Sequence, residues 1–442
     1  MFKSISELAK AYINKAISPV ELTEDYLNKI SEGNIYRLVT AKRAIAQAKR
    51  AESLFNKGIV LGPLQGVPIA LKDLIDTKAD VTAAGSKVLA QNKAAEEDSP
   101  VAARLDAAGA VFLGKTNMTE LAFSGLGLNP HFGTPASALD KSLIPGGSSA
   151  GSGVAVAADW AMAAIGSDTG GSVRIPAAFN AIVGLKTTNG LIPTDGLVPL
   201  STSLDTIGPM TKTVEDAWHL YRVLAAKNIK AFEANLAKKL KLLVPINIVF
   251  GDIDSNVKEA FDFAINIFKE AGHVVEYKEI PEFAELFAML AKYGGLASHE
   301  ALAIYEELLE QKQNEFDPRV AKRILQFKDN PKSSSDYLRL SYKRKELVGR
   351  FWQKYASYNA ILSPTVAILP PKIKTLEASD EAYFRANGIC LRNTMLFNYL
   401  SGPAVTVPIQ KNKPIGLMIA AAPFQEKAVL EIASLIENKG NI

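Results

Sequence analysis

Short apolar runs, each of strand length and separated by helical or small-residue segments, constrain the fold more than any other feature of this sequence. Seven runs have this form: 66–74, 110–116, 161–168, 181–187, 359–366, 404–409 and 416–422. Because they are largely apolar, they predict strands that are buried on both faces. The sequence therefore predicts an α/β fold with helices on both sides of a sheet. Since early and late runs would share that sheet, we expect a single domain spanning residues 1–442.

Helices are predicted between and around these strands. Residues 1–30 show two amphipathic patterns, and 99–109 predicts a helix with Ser99 as its N-cap and Gly109 at its end. Between about 225 and 355, Glu, Lys, Phe and Leu become more frequent, glycine becomes rarer and long helical periodicity appears. We interpret this last region as a helical, cap-like layer within the domain that could shape a pocket.

The charge pattern argues against a nucleic-acid partner. The 442 residues carry a net charge of +4, and basic residues are interleaved with acidic ones. A weak basic patch at Lys238, Lys239 and Lys241 is better explained as a solvated helix end. The longest apolar run, 154–165, contains Asp159 and is too short to span a bilayer, so no membrane partner is expected.

The single cysteine, Cys390, cannot form an internal disulfide. Its apolar neighbours predict a buried, inert thiol rather than a reactive one. The sequence also opens without a secretory signal. These features lead us to expect a reduced, cytoplasmic environment.

Two stretches rich in glycine and serine, 145–153 (PGGSSAGSG) and 166–176 (GSDTGGSVRIP), suggest a nucleophile or a phosphate cradle. The first lacks the lysine that follows the second glycine of a P-loop, and it does not match G-x-G-x-x-G. Residues 147–151 match G-x-S-x-G, the nucleophile elbow of α/β-hydrolases, but a loop-like segment precedes them where that motif needs a strand. This short pattern alone therefore predicts little.

A nucleophilic serine needs a base, and no histidine is well placed to be one. His131, His219, His273 and His299 lie in segments without other catalytic side chains, so we expect structural or surface roles for them. A lysine can act instead when burial lowers its pKa. The candidate is Lys72, at the end of an apolar run; the alternative, a strand-end lysine that reaches solvent, stays open.

Several longer motifs follow one another along the chain: GVPIALKD, GKTNMTELA, PGGSSAGSG, GSDTGGSVRIPAAFNAIVGLKTTNGLIP, SLDTIGPM, AILSPT and GPAVTVPI. Together they resemble the amidase signature family. The resemblance covers most of the chain and is densest from Gly66 to Pro209. It implies a large, mixed, twisted central sheet covered by helices on both faces, and catalysis without a metal or organic cofactor.

The family uses a Ser–cis-Ser–Lys triad, and its lysine corresponds to Lys72 here. Its bridging serine, held in a cis peptide, corresponds to Ser148, and its nucleophile corresponds to Ser172. The resemblance thus implies that Ser148 passes the proton of Ser172 to a neutral Lys72.

Backbone groups around the expected nucleophile are suited to holding an oxyanion. The N–H groups of Thr169, Gly170, Gly171 and Ser172 are predicted to form this hole. Glycines have no side chain, which lets successive N–H groups converge on one point.

Three further residues are predicted to support the site. Asp168 and Arg174 flank the turn and are interpreted as a buried pair that shapes it, although two unrelated surface charges would fit the same pattern. Ser149 is expected to hydrogen-bond near the triad or, alternatively, to cap the helix that follows it.

The substrate pocket is less well specified. By family position, Ala122 and Phe123 are expected to line the acyl pocket, and ordinary core packing fits them equally well. Helices between 280 and 345 are expected to contribute the rest of the wall. The four arginines from Arg319 to Arg344 could bind a carboxylate or simply be solvated.

The resemblance implies an amidohydrolase that cleaves the C–N bond of a small-molecule amide. The alternative is the glutaminase subunit of a tRNA-dependent amidotransferase, which we expect to resemble this chain less in its last third. A non-catalytic binding protein on the same fold would have lost a triad residue, and all three are present. The substrate, the need for partner proteins and the oligomeric state, with a homodimer as one candidate, stay open.

Overall fold

An eleven-stranded sheet lies at the centre of the molecule. The computed structural model describes residues 2–30, 33–226 and 239–439. The strands are β1 Tyr36–Val39, β2 Pro68–Lys72, β3 Val111–Thr116, β4 Ala163–Ser167, β5 Val183–Lys186, β6 Ile207–Thr211, β7 Lys241–Pro245, β8 Val274–Lys278, β9 Ala360–Pro364, β10 Ala404–Pro408 and β11 Gly416–Ala420.

The sheet is mixed, with two parallel groups joined by antiparallel strands. Its spatial order is β1-β3-β2-β4-β6-β5-β10-β11-β9-β7-β8. Strand β2 pairs in parallel with β3 and β4, and β7 pairs in parallel with β8 and β9. The strands between these groups pair antiparallel. Each of the seven predicted runs contains one strand, and β5 joins the early strands to the late ones through β10.

The helices are α1 Ile5–Ile13, α2 Pro19–Lys29, α3 Ala41–Asn56, α4 Pro100–Ala107, α5 Ala150–Ala157, α6 Arg174–Phe179, α7 Val214–Leu224, α8 Ser255–Glu270, α9 Pro281–Tyr293, α10 Leu296–Lys312, α11 Pro318–Asp329, α12 Ser334–Lys354, α13 Ile373–Ala378, α14 Asp380–Tyr399 and α15 Glu426–Lys439. The predicted cap at Ser99 is present, since its side chain accepts the N–H of Ala102 at the start of α4.

Helices cover both faces of the sheet, which confirms the predicted α/β class. Successive residues of a strand point to opposite faces, and β11 shows the consequence. Leu417 and Ile419 belong to a core cluster with α7, α8 and α15. Met418 and Ala420 belong to a different cluster with α9, α12 and α14.

The region between 225 and 355 contains helices α8 to α12, and it also adds strands β7 and β8 to the sheet. The sequence interpretation of a helical layer did not include these strands. Strand β8 is the last strand of the sheet, and all five of its residues are partly or fully exposed, so it lacks the continuous apolar run of a buried strand. Residues 227–238 of this region, including Lys238, lie outside the described residues.

The single cysteine, Cys390 on α14, is fully buried. Burial raises the pKa of its thiol to about 12, as expected for an inert thiol. Within the described ranges, no helix is long and apolar enough to cross a membrane.

Candidate active site

Two neighbouring parallel strands end side by side and define the position of the site. Leu71 of β2 lies opposite Ile165 of β4, so Lys72 and Ser167 close the two strands at the same edge of the sheet. The Nζ atom of Lys72 donates to the Ser167 Oγ atom at 2.8 Å and to the Ser148 Oγ atom at 2.7 Å. Lys72 is fully buried, so the alternative of a lysine reaching solvent is wrong.

The carboxylate of the next residue, Asp73, does not form an ion pair with Lys72. It points to the other face of the strand, as expected for the next residue along, and forms an ion pair with Arg37. The Nζ atom of Lys115 lies 3.7 Å from the same carboxylate. Asp73 is therefore engaged with two other cations.

Burial lowers the pKa of Lys72 from its ordinary 10.5 to about 7, although the carboxylates of Asp205 and Asp168 act in the opposite direction. A group with this pKa is neutral in about half of the molecules at neutral pH. An unperturbed lysine would be neutral in only about three molecules in ten thousand. Lys72 can therefore accept a proton, which is what a general base requires.

The segment that carries Ser148 is closely packed. The peptide bond between Gly147 and Ser148 is cis. A Cβ atom on Gly147 would lie 2.5 Å from the backbone N of Gly127, so only glycine fits there. The Ser148 carbonyl accepts the N–H of Thr119 at 3.2 Å, and Ser148 itself is fully buried. These contacts hold the Ser148 hydroxyl against Lys72.

The loop before Ser172 folds around the carboxylate of Asp168. Its Oδ1 atom accepts the N–H of Gly171 at 2.8 Å, and its Oδ2 atom accepts the N–H of Val173 at 3.1 Å. Gly171 has a φ of +137°, and a Cβ atom there would overlap the Oγ1 atom of Thr394. The conformation and the close approach both require glycine at this position.

Asp168 and Arg174 form a fully buried ion pair rather than two surface charges. The Nη2 and Nε atoms of Arg174 lie 2.9 and 3.0 Å from the two carboxylate oxygens. Asn398 donates to Asp168 at 2.9 Å and accepts from Arg174 at 2.7 Å. Burial disfavours the charged carboxylate, but Arg174 and these hydrogen bonds outweigh it and hold the pKa of Asp168 below its usual range.

Three of the four predicted oxyanion donors are available. Among the described residues, none accepts a hydrogen bond from the backbone N–H of Thr169, Gly170 or Ser172, and all three residues line a cavity. The prediction for Gly171 is wrong, because its N–H already donates to the buried carboxylate of Asp168.

Ser149 links the two glycine-rich stretches. Its N–H donates to the carbonyl of Ser172 at 3.2 Å, and its Oγ atom donates to the carbonyl of Ser167 at 3.3 Å. The side chain makes no capping hydrogen bond to α5, although Ser149 immediately precedes that helix. The structure thus favours the first of the two predicted roles.

Ser172 lies in the wall of a cavity of about 140 Å³. Its hydroxyl forms no hydrogen bond with any described residue, so it is available to a ligand in the cavity. Ala122 and Phe123, the predicted pocket residues, lie in the same wall. Helices α10 and α11 contribute Ala297, Ser298 and Arg323, which places part of the predicted cap region beside Ser172. Further walls come from α14 and from the loop that precedes β6.

A model of the amidase family matches residues 21–430 of this chain. The chain belongs to the amidase family.

Two curated relatives and a solved structure agree with this membership. The 2-amino-5-chloromuconic acid deaminase of Comamonas testosteroni is 34% identical over 411 residues, 91% of this chain and 88% of the relative. A glutamyl-tRNA(Gln) amidotransferase subunit of Koribacter versatilis (strain Ellin345) is 32% identical over 94% of both chains. A crystal structure of an amidase matches with a TM-score of 0.87 and 29% identity over 99% of both chains. The protein is an enzyme that hydrolyses amide C–N bonds.

The four histidines of this amidase have structural partners away from the cavity wall. His219 on α7 lies near Glu215, and the Nε2 atom of His299 lies 2.8 Å from the carbonyl of Tyr293. His273 accepts the N–H of Leu240 through Nδ1. His131 lies 3.2 Å from a carboxylate oxygen of the buried Glu120. In the part of the chain that the structure describes, no group of three or more His, Cys, Asp or Glu side chains could hold a metal ion.

Sequence reasoning missed three polar residues of the site. Ser167 lies within the GSDTGGS stretch, and its place at a strand end beside Lys72 was the available signal. Asp205 lies within the SLDTIGPM motif and accepts the Oγ1–H of Thr169 at 2.5 Å. Asn398 carries no motif of its own. Its contact with Asp168 joins residues 230 positions apart and could be found only from the fold.

Proposed function

We propose that this amidase cleaves a small-molecule carboxylic amide through an acyl-enzyme on Ser172, with Ser148 and Lys72 as the proton relay. The observation that carries the proposal is the buried hydrogen bond from Lys72 to Ser148, next to a cavity that contains Ser172. Lys72 has a pKa near neutrality, and none of the described residues that line the cavity is a histidine. The lysine is therefore the base that this site can use.

The first half-reaction forms an ester on Ser172 and releases the amide nitrogen as ammonia or an amine. Neutral Lys72 takes the hydroxyl proton of Ser148, while Ser148 takes the proton of Ser172. The Ser172 oxygen then attacks the amide carbonyl carbon and gives a tetrahedral intermediate. The relay returns a proton to the nitrogen, the C–N bond breaks, and ammonia or an amine leaves. The second half-reaction repeats these steps with water, releases the carboxylic acid and restores Ser172.

The intermediate carries a negative oxygen that needs hydrogen-bond donors. Thr169, Gly170 and Ser172 supply backbone N–H groups, and one such donor is typically worth about 3 kcal/mol. The Asp168–Arg174 pair keeps the loop in shape without occupying these three groups. This arrangement stabilises charge that develops only during the reaction.

A second candidate is the glutaminase subunit of a tRNA-dependent amidotransferase. Glutamyl-tRNA(Gln) amidotransferase subunits of Koribacter versatilis and of Alkaliphilus metalliredigens (strain QYMF) are 32% and 30% identical over 94% and 99% of this chain. These matches extend over nearly the whole chain, so the resemblance to such subunits is not confined to its first two thirds. The deaminase relative is only slightly more similar, so identity does not choose between the two functions.

Ammonia release from a panel of amides tests the proposal. The panel contains aliphatic and aromatic amides, carboxylated amides and ureas, and L-glutamine. Ser172→Ala should lose turnover of every substrate, whereas Ser434→Ala, a buried serine on α15, should retain it. Activity that survives Ser172→Ala would refute the acyl-enzyme assignment. Activity on glutamine alone would favour the amidotransferase function.

A further inference from the structure

The segment 199–205, which precedes β6, folds around the carboxylate of Asp205. The Oδ2 atom of Asp205 accepts the N–H of Leu200 at 2.9 Å and the N–H of Ser201 at 3.0 Å. Its own N–H donates to the carbonyl of Ser201 at 2.8 Å. Because Leu200 also lines the active-site cavity, this carboxylate shapes part of the cavity wall. Its second oxygen is left for a partner outside the segment.

That second oxygen, Oδ1, contacts the oxyanion loop. It accepts the Oγ1–H of Thr169 at 2.5 Å. The residue after Asp205, Thr206, holds the preceding part of the loop. Its hydroxyl donates to the carbonyl of Asp168 at 2.7 Å, and its carbonyl accepts the N–H of Asp168 at 2.8 Å. Two consecutive residues before β6 therefore hold the side chain of Thr169 and the peptide group that precedes it.

These contacts set the direction of one oxyanion donor. The N–H of Thr169 and the carbonyl of Asp168 belong to one planar trans peptide group, so they point in opposite directions. The carbonyl accepts from Thr206 and from the side-chain amide of Asn398, at 2.7 and 3.1 Å. The N–H of Thr169 therefore points away from both donors. The hydrogen bond from the Thr169 hydroxyl to Asp205 then restricts rotation of the same residue.

Helix α10 holds the same segment without contacting the oxyanion loop through these bonds. Glu300 accepts the hydroxyl of Ser201 at 2.5 Å, and the hydroxyl of Tyr305 donates to the carbonyl of Pro199 at 2.5 Å. Since the segment has these anchors of its own, the hydrogen bond to Thr169 mainly restrains Thr169.

The charge of Asp205 also acts on the base. Burial lowers the pKa of Lys72, and Asp205 is the first of two carboxylates that oppose this effect; Asp168 is the other. Asp168 is paired with Arg174, whereas Asp205 forms no ion pair with any described residue. Burial raises the pKa of Asp205, but the hydrogen bonds that it accepts and the charge of Lys72 favour its ionised form. Tyr305 of α10 stays neutral, because burial and Asp205 raise its pKa.

We propose that Asp205 is a positioning residue of this amidase, whose carboxylate holds Thr169 so that the backbone N–H of Thr169 faces the oxygen of the tetrahedral intermediate. The inference rests on the proposed hydrolysis at Ser172. Asp205 is not among the residues that line the cavity, so it acts through Thr169 and through its charge on Lys72.

A double-mutant cycle on an amide that the wild-type enzyme turns over tests this role. Asp205→Ala and Thr169→Val should each lower kcat by about 10- to 100-fold and change KM by less than about threefold, because the oxyanion exists only during the reaction. Both variants break the same hydrogen bond, so the double variant should lose at most about threefold more than the weaker single one. Thr169→Ser keeps the hydroxyl and should recover most of the kcat that Thr169→Val loses.

The pH profile of kcat/KM gives a readout that a merely structural role would not move. Asp205→Asn removes a charge that favours protonated Lys72, so its midpoint should lie at lower pH than that of wild type. Thr169→Val keeps this charge and should keep the wild-type midpoint.

Asp216→Ala is a matched control for the loss of a buried carboxylate. Asp216 lies on α7, accepts the backbone N–H of Ile5 at 2.9 Å and does not line the cavity. This variant should lower the melting temperature and keep kcat within about twofold of wild type. If Asp205→Ala does not fold, Thr169→Val and Thr169→Ser still test the contact, and equal kcat values in these two variants would overturn the proposal.

Three further results would overturn it: a kcat of folded Asp205→Ala within about twofold of wild type, losses that multiply in the double variant, or a midpoint of Asp205→Asn that does not move to lower pH. Ser172→Ala, measured on the same amide, separates this proposal from the proposed function. If Ser172→Ala is inactive but the losses at Asp205 and Thr169 multiply, only the positioning role is refuted. If Ser172→Ala stays active while these losses are coupled, only the nucleophile is refuted.

Discussion

Replacing Lys72 with methionine should change how the stability of the fold depends on pH. Lys72 has a folded pKa of about 7 against an ordinary value of 10.5. Between these values the unfolded chain binds more protons than the folded one, so wild-type stability rises with pH across this window. Below about pH 7 Lys72 is protonated in both states, so the folded state carries the full free-energy cost of burying its charge.

The size of the effect follows from the two pKa values. Going from pH 7 to pH 9.5 should stabilise wild type by about 3 kcal/mol relative to Lys72→Met. The comparison with the variant matters because burial also lowers the pKa of Lys186 to about 7. Lys186 contributes equally to both proteins, so the difference between them reports Lys72 alone.

Urea unfolding of the two proteins at both pH values measures this difference. Lys72→Met should be the more stable protein at pH 7 by a margin that narrows as the pH rises. Wild-type kcat/KM should also rise with pH around a midpoint near 7, and fall to roughly a tenth of its plateau at pH 6. A stability difference that does not change with pH, or a kinetic midpoint near 10, would refute a neutral lysine base.

Three other substitutions have outcomes set by the local geometry. Gly171→Ala should lower the melting temperature and remove most of the activity, because the positive φ of Gly171 and the hydroxyl of Thr394 on α14 exclude a Cβ atom. Unchanged thermal unfolding would contradict this. Asp168→Asn leaves Arg174 buried without a counter-charge and should cost about 3–5 kcal/mol in urea unfolding, with a loss below 1 kcal/mol as the contrary result. Ser167→Ala removes an acceptor that favours the charged form of Lys72, so the midpoint of the kcat/KM profile should move about half to one pH unit lower; a move upward would contradict the contact.

The central part of the fold could be predicted because its strands are buried on both faces. Runs such as 66–74 and 404–409 are apolar at most positions, and their length is typical of strands and short for a buried helix. Edge strands β1 and β8 are partly exposed and give a weaker signal. Strand β6 contains Pro209, which a sequence pattern normally places outside a central strand.

The catalytic residues could be proposed because they occur in long motifs. The burial of these residues and the hydrogen-bond partners of their atoms could not be predicted in this way. The sequence showed that Lys72 ends an apolar run, and only the structure showed that it is buried against Ser148 and Ser167. The N–H of Gly171 was expected to be free, and the side chain of Asp168 occupies it. The spacing of residues along the chain does not show which acceptor a given N–H group will bind.

The surroundings of Arg323 illustrate the same limit at longer range. The sequence left it among four arginines that could bind a carboxylate or be solvated. Its position over Phe123 joins residues 200 positions apart. The absence of an acidic partner among the described residues is a property of the packed structure, and no motif encodes it.

A trapped acyl-enzyme would show directly whether Ser172 is the nucleophile. The enzyme is mixed with an amide that it turns over, quenched in acid, and mapped by peptide mass spectrometry. We expect an acyl adduct on the peptide that contains Ser172 and no adduct in Ser172→Ala. An adduct on another residue, or full turnover by Ser172→Ala, would contradict the assignment of Ser172 as the nucleophile.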